Sequence, residues 1–150
     1  MQRLHLDLGL ACEGCRVPPR ATLVRWCKAA LADAEGGVRL GLRIVTETES
    51  ATLNGRFRGR AGPTNVLSFP YGDAQVSKTQ FLGDIVICAP LVKAQAAEAC
   101  RPEDAHWAHL LIHGILHLQG FDHETDQDAR VMEARETRIL EGLGFADPYR

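Results

Sequence analysis

From Ala105 to Leu118 the chain is apolar on almost every side. Trp107, Ala108, Leu110, Leu111, Ile112, Ile115, Leu116 and Leu118 leave no broad polar face to turn toward water. A helix of this kind is packed on most sides, so it becomes the central helix of the domain that forms around it. Its polar interruptions are histidines. His113 and His117 stand one turn apart on a shared face, His109 lies one turn further up, and His106 is close by. Gly120 suits the positive-φ conformation that ends a helix and folds the chain back, which brings His123 toward the other two rings. Three neutral nitrogen donors converging from a helix and its following turn suit one tetrahedral zinc ion per chain. The fourth position then stays open, as in catalytic zinc sites. One histidine at helical spacing would read as a satisfied core residue; three, with a chain-reversing glycine, are far harder to explain without a metal. His106 and His109 read as groups behind the ligands or facing substrate, because a fourth protein ligand would close the site.

The spacing H-x-x-x-H-x-x-G-x-x-H is also that of the metzincin proteases, in which a glutamate after the first histidine is the general base. Here that position is Gly114, which cannot accept a proton. A metal bound here would still act as a Lewis acid and lower the pKa of its water to about 7. With three neutral ligands the ion keeps its full charge, which favours an anionic substrate such as a phosphodiester over a neutral amide. In a helix interior Gly114 costs about 1 kcal/mol against alanine. Close packing against a strand or against substrate would account for it.

At 150 residues, 45% hydrophobic and 24% charged, positions 1–150 are expected to form one soluble globular domain. The net charge of −2 offers no global field for nucleic acid, so any such partner needs a local basic patch. No apolar run approaches the ~20 residues of a membrane span, and the start, MQRLHLDLGL, lacks signal-peptide architecture. A cytoplasmic location and no membrane partner are therefore expected. Of the five cysteines, Cys12 and Cys15 form a CEGC pair without a second CxxC. A thioredoxin-like role is the alternative, but the pair reads as a coincidence of a loop. Cys27, Cys88 and Cys100 read as small core hydrophobes.

Alternating Leu4, Leu6, Leu8 and Leu10 predict a half-buried strand. Pro18 and Pro19 open a helix carrying Leu23, Trp26, Cys27, Ala30 and Leu31 on one face, stopped by Gly36 and Gly37. Val38 to Ile44 alternate in a second strand, and Thr46 with Glu49 makes a capping box for a short helix ending near Gly55. A loop from Gly59 to Thr64 precedes strands at Val66–Phe69 and Asp84–Cys88. Helices follow from Pro90 to Ala99, from Pro102 to Gly120, and from Thr125 to Leu143, the last with Ala129, Met132, Ile139, Leu140 and Leu143 on one face. The order gives an α/β (α+β-like) fold: a mixed sheet of about four strands, about five helices and a central histidine-bearing helix.

Residues 54–71, NGRFRGRAGPTNVLSFPY, hold the one basic cluster of note. Arg56, Arg58 and Arg60 alternate around Phe57. Guanidinium forks bind phosphate oxygens, and an aromatic ring can stack on an unpaired base. A solvated basic loop explains the same residues equally well.

Together these segments resemble the YbeY family of bacterial endoribonucleases, over most of the chain. LNGRFRGRAGPTNVLSF and LGDIVIC look like two of its segments, HGILHLQGFDH fits its signature at every fixed position, and MEARETRILEGLGFADPY is similar to its closing helix. The resemblance implies a metal-dependent endoribonuclease that prefers single strands. It would act in ribosomal RNA maturation, at the small-subunit 3′ end, and in ribosome quality control, with ribosomal RNA, the small subunit and its assembly factors as partners. It also implies that His113, His117 and His123 are the metal ligands and that Arg58 is an active-site arginine. The CEGC pair and the short span between Tyr71 and Phe81 are not features of that family.

The expected chemistry is zinc-assisted phosphodiester hydrolysis, with Arg58 neutralising charge on the phosphate. The general base is left open between His109 and Asp84, a substrate 2′-hydroxyl is an alternative nucleophile, and Asp122 is expected at most to orient a ligand ring. Two rivals remain from the residues alone: a metzincin-like metalloprotease and a non-catalytic, zinc-stabilised ribosome-assembly factor.

Overall fold

A computed structural model describes residues 3–34, 36–71, 75–76 and 79–150. The alternating leucines form β1 (Arg3–Leu10), and α1 (Arg20–Ala30) leads into β2 (Gly37–Val45). Then come α2 (Glu47–Arg58), β3 (Val66–Pro70), the two-residue β4 (Gln75–Val76) and β5 (Thr79–Cys88). Three helices complete the chain: α3 (Ala89–Glu98), α4 (Glu103–Leu118) and α5 (Asp126–Gly142). The sheet runs β1-β2-β5-β3, with β1, β2 and β5 parallel, β3 antiparallel to β5, and β4 paired to β5. It is a mixed α/β domain of the kind the periodicities predict.

Because side chains alternate along a strand, the two sheet faces divide cleanly. Leu40, Leu42 and Ile44 of β2 and Ile85 and Ile87 of β5 join Leu23, Trp26, Leu111, Ile112 and Ile115 of α1 and α4 in the main core. Each fully buried leucine or isoleucine there contributes about 1.5–3 kcal/mol relative to exposure. Val45, Leu67, Val86 and Cys88 face the other way and form a smaller cluster with Leu53 of α2 and Leu91 of α3. The α4 helix is central, as its composition requires: ten of its residues, Trp107 and Gly114 included, are buried. A Cβ on Gly114 would stand 3.1 Å from Ile85 Cδ1 and 3.2 Å from Ser68 Oγ, so the glycine lets α4 lie directly on β5 and β3.

Several expectations need correction. Gly55 does not end α2. The helix runs on to Arg58 and stops at Gly59, whose φ of +64° is the left-handed cap that glycine accommodates. An interior glycine weakens a helix without breaking it, so Arg56, Phe57 and Arg58 are helical. The capping box is half made: Thr46 accepts from Glu49 N, while the Glu49 carboxylate pairs with Arg43. Gly36 ends the α1 connection, but Gly37 already pairs within β2. Strand β5 starts at Thr79, ahead of the expected Asp84, and a bulge opposite Arg39 and Leu40 absorbs its extra residue. Cys100 is exposed at the end of α3, with φ +53°, and is no core residue. Cys12 and Cys15 are joined in a disulfide across a turn, with Cα atoms 5.6 Å apart. Between Tyr71 and Phe81, residues 72–74 and 77–78 lie outside those described.

Candidate active site

The α4 helix ends as its glycine predicts. Gly120 adopts φ +100°, Gly120 N donates to His117 O, and Phe121 N donates to Leu116 O, which is a Schellman closure. The reversal delivers His123 to the face that carries His113 and His117. Ring centroids lie 6.3 Å apart for His113 and His117, 5.8 Å for His113 and His123, and 5.9 Å for His117 and His123. His113 is half-buried; His117 and His123 are exposed. Asp122 accepts from Glu124 N, shaping the turn that holds His123 instead of bonding a ring.

Two of the three rings have one nitrogen already committed. His117 Nδ1 lies 2.8 Å from Phe121 O, and His113 Nδ1 lies 3.1 Å from Glu136 Oε1. Carbonyl and carboxylate oxygens only accept, so both Nδ1 atoms must donate. In the neutral rings Nε2 then carries the lone pair a metal needs.

Glu136 of α5 is completely buried, and its other oxygen sits 2.6 Å from His109 Nε2 and accepts from the Tyr149 hydroxyl at 2.9 Å. Burial by itself raises the Glu136 carboxyl. The hydrogen bonds from His109 and His113 outweigh that effect, bringing it down to about 2. Burial, and then the adjoining Glu136, raises the Tyr149 phenol. His109 is thus drawn behind His113 with Nε2 committed and Nδ1 buried with no partner among the described residues, a geometry unsuited to a general base. Further up, His106 Nε2 lies 2.9 Å from Gln95 Oε1, and burial, with the charges of His109 and Arg101, lowers its pKa to about 4.

Neither Glu136 nor Tyr149 stands out in the sequence reading. The available signal was a carboxylate on the apolar stripe of α5, between Met132 and Leu140.

Arg58 is exposed at the end of α2, and its guanidinium has no hydrogen bond or ion pair among the described residues. The loop behind it is well held. Ser50 Oγ donates to Thr64 O and accepts from Thr64 N, and Asn54 Nδ2 donates to Gly62 O. Asn65 Nδ2 donates to Gln95 Oε1, the atom that also meets His106, so this loop and α4 share a polar partner. Strand β3 separates the two sides: Ser68 faces Gly114 of α4, and Phe69 stacks edge-on against Phe57 of α2, with centroids 5.3 Å apart.

Asp84 lies on the α2 side, where it accepts from the Tyr71 hydroxyl at 2.7 Å. It therefore cannot be the base for the histidine site. A cavity of about 700 Å³ occupies that same far face, lined in part by Asp7, Arg43, Phe57, Phe69 and Asp84. Its charges are satisfied in pairs, Arg39 with Asp7 and Arg43 with Glu49, so its size does not make it the reactive centre.

Imidazoles bound tetrahedrally at Zn–N of about 2.0–2.1 Å would have centroids roughly 5.2 Å apart. The three rings are wider than this, and among the described residues no group of three or more His, Cys, Asp or Glu side chains stands at coordinating geometry. The donor chemistry fits a zinc-like cation: neutral nitrogens, two of them with Nε2 left as the lone-pair atom, backed by a buried carboxylate.

Fold and site together define an α/β protein with a three-histidine centre at the end of its core helix, lacking the glutamate of a metalloprotease. The sequence profile of the family described as Endoribonuclease YbeY matches residues 19–144. Proteins named Endoribonuclease YbeY from Methylococcus capsulatus (strain Bath) and Nitrosococcus oceani are 50% and 47% identical, each alignment covering 89% of this chain and 88% of the relative. The solution structure of TM1509 from Thermotoga maritima superposes with a TM-score of 0.61 at 29% identity, over 94% of this chain and 87% of that one. The chain belongs to the YbeY family.

Proposed function

We propose that this protein is a zinc-dependent, single-strand-specific endoribonuclease acting in the cytoplasm on ribosomal RNA, in maturation of the small-subunit 3′ end and in ribosome quality control. The observation that carries the proposal is the convergence of His113, His117 and His123, with Gly114 where a protease would hold its base. Membership of a family whose relatives are named endoribonucleases supports RNA as the substrate. When bound, zinc supplies Lewis acidity to the phosphodiester. The chain's own residues do the rest. His113, His117 and His123 hold the ion, and Arg58, without a hydrogen bond or ion pair among the described residues, takes a phosphate oxygen with its guanidinium fork. No helix among the described residues is long and apolar enough to cross a membrane.

The test is cleavage of single-stranded and duplex RNA by wild type, His117→Ala and Arg58→Ala, with zinc content measured on the same samples. Wild type should cut single strands and lose that activity to a chelator. Arg58→Ala should keep zinc and lose cleavage, and His117→Ala should lose both. Undiminished cleavage by His117→Ala, or cleavage of casein in place of RNA, would overturn the reading.

A further inference from the structure

We infer that Glu136 is the positioning residue of the histidine centre: its buried carboxylate sets the tautomer and orientation of His113, and Tyr149 holds the carboxylate in place. The inference rests on the reading of the histidine trio as a metal centre. Glu136 is the one charged side chain among the fully buried residues described, on a helix stripe otherwise made of Met132 and Leu140. A residue serving only to pack that stripe would be apolar, because a buried carboxylate must find donors for both oxygens. Here the donors are His113 Nδ1 on Oε1 at 3.1 Å, and His109 Nε2 and the Tyr149 hydroxyl on Oε2 at 2.6 and 2.9 Å. An ionised carboxylate only accepts, so His113 must carry its proton on Nδ1 and present Nε2 as a lone pair.

His117 independently shows the same arrangement, with Nδ1 against the Phe121 carbonyl. The side chain of the same Phe121 meets α5: the Arg135 guanidinium lies 5.3 Å over its ring and pairs with Asp33. Adjacent residues of α5 thus meet the end of α4 in two ways, Glu136 at the His113 ring and Arg135 at the Phe121 ring of the following turn. The backbone carbonyl cannot be deleted by substitution, but Glu136 can, which makes the role testable. Tyr149 ties the C-terminal segment into the network: its hydroxyl meets both Glu136 and His109, and its ring stands edge-on to His109 at 5.4 Å.

Wild type, Glu136→Gln and Tyr149→Phe would be compared in two measurements. Long-range proton–nitrogen correlation spectra of the chelated proteins report the His113 tautomer, and competition with a chromogenic chelator gives zinc affinity. We expect Nδ1-protonated His113 in wild type and a mixed or inverted tautomer in Glu136→Gln. Zinc affinity of that variant should fall about tenfold to a hundredfold, the usual effect of losing a partner behind a ligand. Tyr149→Phe leaves the bond between Glu136 and His113 in place, so it should keep the wild-type tautomer and bind zinc more tightly than Glu136→Gln. A folded Glu136→Gln protein with wild-type tautomer and affinity would overturn the inference. An Nε2-protonated His113 in wild type would overturn it even if no variant folded. Wild type that takes up no zinc would instead bring down the metal reading and this inference with it, so the two failures are distinguishable.

Discussion

Gly83 shows how one residue couples the sheet to the histidine helix. At φ +150° its missing side chain leaves room for the Phe69 carbonyl, and a Cβ would stand 2.9 Å from Leu118 Cδ2 and 3.0 Å from Pro70 Cα. Backbone atoms cannot step aside as a flexible side chain can. Gly83→Ala is therefore expected to lose about 1–3 kcal/mol of stability in urea unfolding; a midpoint equal to wild type would contradict this packing. His106 gives a pH signature. The unfolded ring takes up its proton near 6.5, the folded one only near 4. Between those values the unfolded chain binds more protons, so stability falls as pH is lowered through that window. His106→Gln should flatten the fall between pH 6.5 and 4, which urea titrations across that range would show; an identical pH slope in the variant would rule it out. At this scale the sequence was informative where geometry is local: His113, His117, Gly114 and Gly120 follow from helical spacing and turn chemistry. Glu136 and Tyr149 were hidden because their partners lie 23 to 40 residues away, at His113 and His109.

Among the elements, α2 and its loop carry most of the second functional segment. Ser50 is 1% exposed and makes both bonds to Thr64, so its hydroxyl pins the loop that follows Arg58. Ser50→Ala leaves those buried groups unpaired and should cost about 1–3 kcal/mol. It should also speed amide exchange at Thr64, and unchanged exchange there would show that the loop is held by other means. Element types and most boundaries were readable from period and caps, including Thr125, whose side chain accepts from Asp128 N at the start of α5. The misplaced end of α2 has a plain cause. Gly55 and Gly59 look alike in a string of letters, and only the backbone shows which one takes positive φ.

For the whole molecule, the division of the sheet into two faces decides which residues can act together. Asp84 was a reasonable base by residue type, yet alternation places it with Val86 and Cys88 on the α2 side, away from α4. Strand order and facing cannot be read from one chain without knowing which strands pair, whereas the central place of α4 can, because its composition allows nothing else. The proposed chemistry depends on one local arrangement, His113, His117 and His123 together holding a metal with an open position. X-ray absorption at the zinc edge on protein loaded with one equivalent tests it most directly. Three histidine ligands and an open position should give nitrogen and oxygen neighbours only, at about 2.0–2.1 Å, with the scattering pattern of three imidazoles. Sulfur at about 2.3 Å, or no retained zinc, would contradict it.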